Sequence, residues 1–263
     1  MKKSYQLVSL VKYLRQSKTR QSVHSPFVFD FINHVLRDNQ QYPEYKLLDN
    51  ERSRLRRSNK HVEVIDFGAG SKGKLYEIKL KKISDLARKS ASQPRTSQLL
   101  FRLARYFKSQ NILELGTSLG MGTLHLAYGA PEAKIVTIEG CYALTDMANL
   151  LFQRLQLNNI TVENGNLDKI LDNALCRFEQ LDLVFFDSFH KKRPTIEYFE
   201  KCLKLAHNDS IFVFDDIHWS QEMNEAWEQI KLHPQVQVTI DLFQLGIVFF
   251  KKELSKEHFV LRY

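Results

Sequence analysis

Six ionisable residues at the ends of short apolar runs could do chemistry in this chain. Asp187 and His190 follow Leu181–Phe186, Asp215 and Asp216 follow Ile211–Phe214, Glu114 lies near the end of Ile112–Leu115, and Glu139 follows Lys134–Ile138. Asp187, Asp215 and Asp216 form an oxygen-rich set of the kind Mg²⁺ prefers. A cation held there would orient a substrate hydroxyl and lower its pKa. His190, three residues after Asp187, can act as a general base near pH 7 in its neutral form. Asp187 and His190 are therefore the catalytic candidates, and the three aspartates the metal candidates.

Beside this acid–base set stands a turn suited to a ligand. The run Asn111–Thr123 reads as a buried strand, a turn carrying Gly116, Thr117, Ser118, Gly120 and Gly122, and the start of an apolar helix. That geometry brings backbone N–H groups and a helix N-terminus close to a nucleotide-like ligand. The turn contains no Lys, so it is not a triphosphate loop. Its spacing is GxxxGxG rather than GxGxxG, which speaks against a nicotinamide-dependent oxidoreductase. Glu139 lies 23 residues beyond Gly116, the register at which an acid accepts hydrogen bonds from ribose hydroxyls. A second Gly-rich string, Val64–Ser71, leads into a polar loop with no strand and acid to follow. It reads as a turn between short elements.

The Asn111–Thr123 turn resembles motif I of the class I S-adenosylmethionine (SAM) dependent methyltransferases, and residues 96–263 resemble the catechol O-methyltransferase-like enzymes among them. The resemblance implies SAM as cofactor. Glu114 would then face its ammonium end, Gly116–Gly122 would allow close approach, and Asn166 would meet the adenine edge where many such enzymes carry Asp. Asp187 would order the methionine end. Carried over from the catechol enzymes, Asp187, Asp215 and Asp216 occupy the metal positions, with Asp-Asp in place of Asp-Asn. His190 stands where those enzymes place a Lys, and Asp187-x-x-His190 resembles a broader bacterial methyltransferase group.

The elements that must position these residues alternate. Strands are expected at 111–115, 134–138, 160–162, 181–186, 211–214, 236–242 and 246–250, with helices at 141–156, 194–206 and 220–232 between most of them. Alternation of this kind builds an open α/β sheet with right-handed crossovers. The fold class expected is α/β, a Rossmann-like seven-stranded mixed sheet of methyltransferase type with a helical N-terminal extension. Helical spacing appears at Ser4–Gln16, and Pro26 suits the first position of a further helix. Residues 38–61 read as polar, 80–89 and 96–107 as helical. Ser90–Pro94 is the linker candidate, which divides the chain into a basic cap (1–95) and a SAM-binding domain (96–263).

Charge reinforces that division. The net charge of +8 is distributed as +15 over residues 1–110 and −7 over residues 111–263. A basic extension on an acidic half points to an anionic substrate or partner. Three widely spaced cysteines without a CxxC pair argue against a disulfide framework or a zinc site. No apolar run approaches the roughly 18 residues a membrane helix needs, and a cytoplasmic protein is expected. The expected function is methyl transfer to a small-molecule hydroxyl, in a chain able to form a homodimer. Two rivals remain open: an RNA-modifying methyltransferase using the basic cap, and a SAM-binding module without catalysis.

Overall fold

The computed structural model describes residues 2–66, 77–89 and 93–263. Its strands are β1 (His61–Asp66), β2 (Glu77–Lys82), β3 (Asn111–Leu115), β4 (Lys134–Glu139), β5 (Ile160–Asn164), β6 (Leu181–Phe186), β7 (Ala206–Asp215), β8 (Val238–Asp241), β9 (Leu245–Phe249) and β10 (Glu257–Val260). The helices are α1 (Lys2–Gln16), α2 (Pro26–Phe31), α3 (Pro43–Arg57), α4 (Ile83–Lys89), α5 (Pro94–Tyr106), α6 (Met121–Gly129), α7 (Tyr142–Arg154), α8 (Leu167–Leu175), α9 (Lys192–Leu203) and α10 (Gln221–Leu232). The main sheet is mixed and has eight strands in the order β10-β8-β9-β7-β6-β3-β4-β5. The α/β class holds. The eighth strand is β10, which pairs parallel with β8 and has too short an apolar run to stand out in the sequence.

Two compact units make up the chain, residues 38–177 and residues 1–37 with 178–263. In the first, β3 pairs parallel with β4 and β4 with β5. Ile112, Leu113 and Leu115 of β3 and Ile135 and Val136 of β4 are fully buried, as parallel strands covered on both faces must be. Helices α5 and α6 pack closely because Gly129 has no side chain: a Cβ there would lie 2.4 Å from the Phe101 carbonyl oxygen.

Two segments of this unit depart from expectation. Residues 38–61, read as polar, contain the fifteen-residue helix α3. Pro43 opens it, its missing N–H costing nothing at that position. Leu48 is fully buried and Leu47 and Leu55 pack beside it, an apolar stripe diluted in the sequence by arginines. The N-terminal extension is also not wholly helical, since β1 and β2 pair antiparallel from His61–Lys82 to Asp66–Glu77. The competing Gly-rich string continues from β1 into residues 67–71, which lie outside the described residues, as does part of the linker candidate, 90–92.

In the second unit β6 pairs parallel with β7, β7 antiparallel with β9, and β9 antiparallel with β8. Ser25 caps α2 by accepting the Val28 N–H at 3.5 Å, with Pro26 in the first turn as expected. Ser220 caps α10 in the same way through the Met223 N–H. Gly246 in β9 faces Trp227, where a Cβ would lie 2.7 Å from the indole ring.

Candidate functional site

In the 38–177 unit the expected ligand residues gather at the carboxyl ends of β3, β4 and β5. The chain leaves β3 through Gly116 at φ 111° and Ser118 at φ 49°, then reaches Gly120 at φ 78°, the N-cap of α6. Glycine is needed at 120 on two counts. The left-handed conformation disfavours a side chain, and a Cβ would lie 2.9 Å from the Phe152 ring. The Gly116 and Thr117 N–H groups both donate to the Ile138 carbonyl, at 3.0 and 3.2 Å, pinning the turn to the end of β4. Gly122 is buried in the first turn of α6.

Glu139 is held by the same turn. The Ser118 N–H donates to its Oε2 and the Cys141 N–H to its Oε1, each at 2.8 Å. These bonds favour the carboxylate, yet burial outweighs them and raises its pKa. Its two oxygens are thus fixed side by side, each retaining acceptor capacity for a further donor.

Glu114 is only 1% exposed. Its Oε2 accepts the hydroxyls of Thr123 and Thr137, the latter at 2.7 Å. Thr117 lies 2.6 Å from the Thr137 hydroxyl; since Thr137 gives its single proton to Glu114, Thr117 donates to Thr137. Burial is the main cause of the rise in the Glu114 pKa to about 7, with the Glu139 charge adding to it. Sequence reasoning missed Thr123 and Thr137. The available signal was Thr137 itself, the only polar residue in the buried run Ile135–Ile138.

Asn166 is the N-cap of α8: its Oδ1 accepts the Asp168 N–H at 2.9 Å. That leaves its NH₂ group to meet a ligand. The neighbouring Asn164 fastens β5 to β4, donating to the Glu139 carbonyl at 3.0 Å and to the Thr145 hydroxyl at 2.9 Å.

In the other unit the acids expected at the ends of β6 and β7 do meet. Asp187 lies close enough to Asp215 to oppose the rise in its pKa. Asp215 is pushed up to about 8, first by burial and then by the adjacent Asp216 charge, and its Oδ1 is buried without a hydrogen-bond partner. His190 Nε2 lies 3.7 Å from Asp187 Oδ1. Burial lowers the His190 pKa while the Asp216 charge opposes the fall, and burial raises Asp216 while His190 opposes the rise. Phe189 and His190, at φ 59° and 43°, and Asp216, at φ 55°, all occupy left-handed backbone. Strained conformations of this kind cluster at functional sites.

A second histidine braces the β7 end. His218 Nε2 lies 2.7 Å from Asp241 Oδ2 and its Nδ1 2.9 Å from Asn224 Oδ1, while its ring stacks on Phe243. The segment after Asp216 is thereby tied to both α10 and β8.

The three aspartates do not fit a cation as they stand. Asp215 is held above the usual carboxylate range, and the charges of Asp216 and His190 act on each other. Among the described residues no three His, Cys, Asp or Glu side chains are disposed to hold a metal ion. No described helix is long and apolar enough to cross a membrane.

A family model described as O-methyltransferase matches residues 73–256. A catechol O-methyltransferase of Niastella koreensis is 28% identical over 127 residues, 47% of this chain and 57% of that protein. One from Mycobacterium tuberculosis is 30% identical over 123 residues, 46% and 54% of the two chains. The chain thus spans just over half the length of these relatives. Among solved structures, an SAH-bound Podospora anserina methyltransferase has a TM-score of 0.62 at 14% identity, over 88% of this chain and 97% of that one. The Bacillus cereus O-methyltransferase in complex with SAH has a TM-score of 0.56 at 19% identity, over 85% and 97%. At these identities the structural likeness speaks for the fold.

Proposed function

The chain belongs to the O-methyltransferase family, and from that premise we propose that it transfers the methyl group of S-adenosylmethionine to a hydroxyl of a small, anionic acceptor. The observation that carries the reading is His190, kept neutral by burial beside Asp187 and Asp216. SAM supplies an electrophilic methyl on a sulfonium, and SAH leaves with the bonding electrons.

The residues of the chain bind, orient and move a proton. Glu139, its oxygens fixed by the Ser118 and Cys141 N–H groups, accepts both hydroxyls of the ribose. The Gly116–Gly122 backbone admits the ligand at the N-terminus of α6, and Asn166 offers its NH₂ to the adenine edge. Glu114, with its raised pKa, gives up its proton when an ammonium group approaches. His190 takes the acceptor's hydroxyl proton as the new C–O bond forms, and Asp216 stabilises the resulting imidazolium. A positioned base of this kind contributes roughly 10²–10⁴-fold. No step is assigned to a metal, because among the described residues no three His, Cys, Asp or Glu side chains are disposed to hold one.

The test is methyl transfer from labelled SAM to cell-extract fractions of small molecules, lipids, RNA and protein, with chelator and with Mg²⁺. Label entering the small-molecule fraction equally under both conditions is the expected result. Label confined to RNA, or none despite SAM binding by calorimetry, would replace the reading with one of its rivals. Activity that requires Mg²⁺ would restore the metal to Asp187, Asp215 and Asp216.

A further inference from the structure

A cavity of about 1300 Å³ opens within the 38–177 unit, bounded by α3, the start of β1, Ile83 and α7. Small-molecule sites run to roughly 300–1,000 Å³, so this one has room for a long ligand. None of the proposed catalytic or cofactor residues lines it; only Leu119 belongs to the Gly-rich turn.

Its lining has two characters. One wall is apolar, with Leu55, Met147, Leu150 and Leu151. Leu150 is 66% exposed, while the next lining residue, Leu151, belongs to a buried cluster with Leu48, Met121 and Phe152. The rim is cationic, with Arg54, Arg57, Lys60 and Arg154 set against Glu51, the one acid among the described lining residues. That acid is engaged: Arg154 donates to it at 3.0 Å, Arg54 lies 3.7 Å away, and Arg154 in particular lowers its pKa. Arg57 gives its Nε–H to the Ser53 carbonyl. Among the described residues neither Arg57 nor Lys60 has an acidic partner.

A plainer cause explains part of this. Arginines in the last turn of α3 suit the negative end of the helix dipole. It does not explain Lys60, which lies beyond the helix, or an exposed leucine facing the cavity. Among the described residues the lining has no Phe, Tyr or Trp, and so no described platform for stacked bases. An apolar wall beneath an unneutralised cationic edge matches an alkyl chain that ends in an acid.

We infer that this cavity binds a long-chain anionic amphiphile, its chain over Leu55, Met147, Leu150 and Leu151 and its acidic head at Arg57 and Lys60. The site is separate from methyl transfer and stands whether or not that reading holds. The test is calorimetric titration of the full chain with oleate below its critical micelle concentration. Saturable binding of one oleate per chain is expected. Affinity falls at least tenfold in R57E/K60E and in L150D, falls at least tenfold for neutral monooleoylglycerol, and is unchanged in K252E, a charge reversal outside the cavity. Inorganic phosphate alone does not bind. R57Q/K60Q and L150S serve where a stronger variant lowers the melting temperature. The inference is overturned by absent or unsaturable binding, or by equal affinity in the cavity variants. An equal loss in K252E, phosphate binding as tight as oleate, or binding to oleate-containing vesicles without monomer binding would overturn it as well.

Discussion

The strand-end acids of the two units differ in what surrounds them. Glu114 and Glu139 are met by donors: two threonine hydroxyls on one, two backbone N–H groups on the other. Around Asp215 stand the carboxyl groups of Asp187 and Asp216, His190 lies beside Asp187, and one oxygen of Asp215 is buried without a hydrogen-bond partner. Carboxylates that accept fixed hydrogen bonds hold a shape; carboxyl groups that face each other must share protons. Under the proposed function the first cluster would bind the cofactor and the second would exchange the acceptor's proton.

That contrast would collapse if substitutions in the two clusters had the same effect. The largest difference is expected from His190→Ala, which should lower kcat by about 10²–10⁴ with SAH affinity unchanged by calorimetry. Wild-type activity should rise with pH as His190 loses its proton, below the usual histidine range because burial lowers its pKa. Asp216→Asn removes the opposing charge, so that limb should move further toward acid. Glu139→Ala should do the reverse, weakening SAH roughly tenfold to a hundredfold, the worth of about 1.5–3 kcal/mol for hydrogen bonds to a charged group.

Two smaller effects sharpen the description of the binding cluster. Gly120→Ala places a Cβ against Phe152 in left-handed backbone and should cost about 1–3 kcal/mol of stability, measured by denaturant titration. Glu114→Gln tests the buried carboxyl. Its folded pKa of about 7 exceeds the ordinary value of 4.5, so the unfolded chain releases that proton first. Stability should therefore fall as pH rises from about 4.5 to about 7 and level off above. The variant, able to accept both threonine hydroxyls on its amide oxygen, should lose that part of the slope. An unchanged slope would show that Glu114 is not its source.

Much of this was legible in the sequence because it depends on local pattern. The runs that became β3, β4 and β6 were apolar enough to read directly, and the Gly116–Gly122 turn announced itself by its glycines. The α3 helix was hidden because arginines interrupt its stripe, although Leu48 and Leu55 keep helical spacing. The meeting of Asp187 with Asp215 could not be read either. Their nearness in space comes from the parallel pairing of β6 with β7, and the burial that raises the Asp215 pKa belongs to the fold rather than to the residue types. The threonines on Glu114 and the cap made by Asn166 were missed for the same reason: each depends on which neighbour the backbone delivers.

The contact between Gly120 and Phe152 also limits the order in which this sequence can drift. A residue other than glycine at 120 requires first a smaller side chain at 152, and that change alone opens a void in the cluster that includes Leu48, Met121 and Leu124. Even with the space cleared, the positive φ still penalises the newcomer. Each single step is a loss before any pair of steps is neutral, so the two positions are held together as a lock that neutral variation one residue at a time does not open.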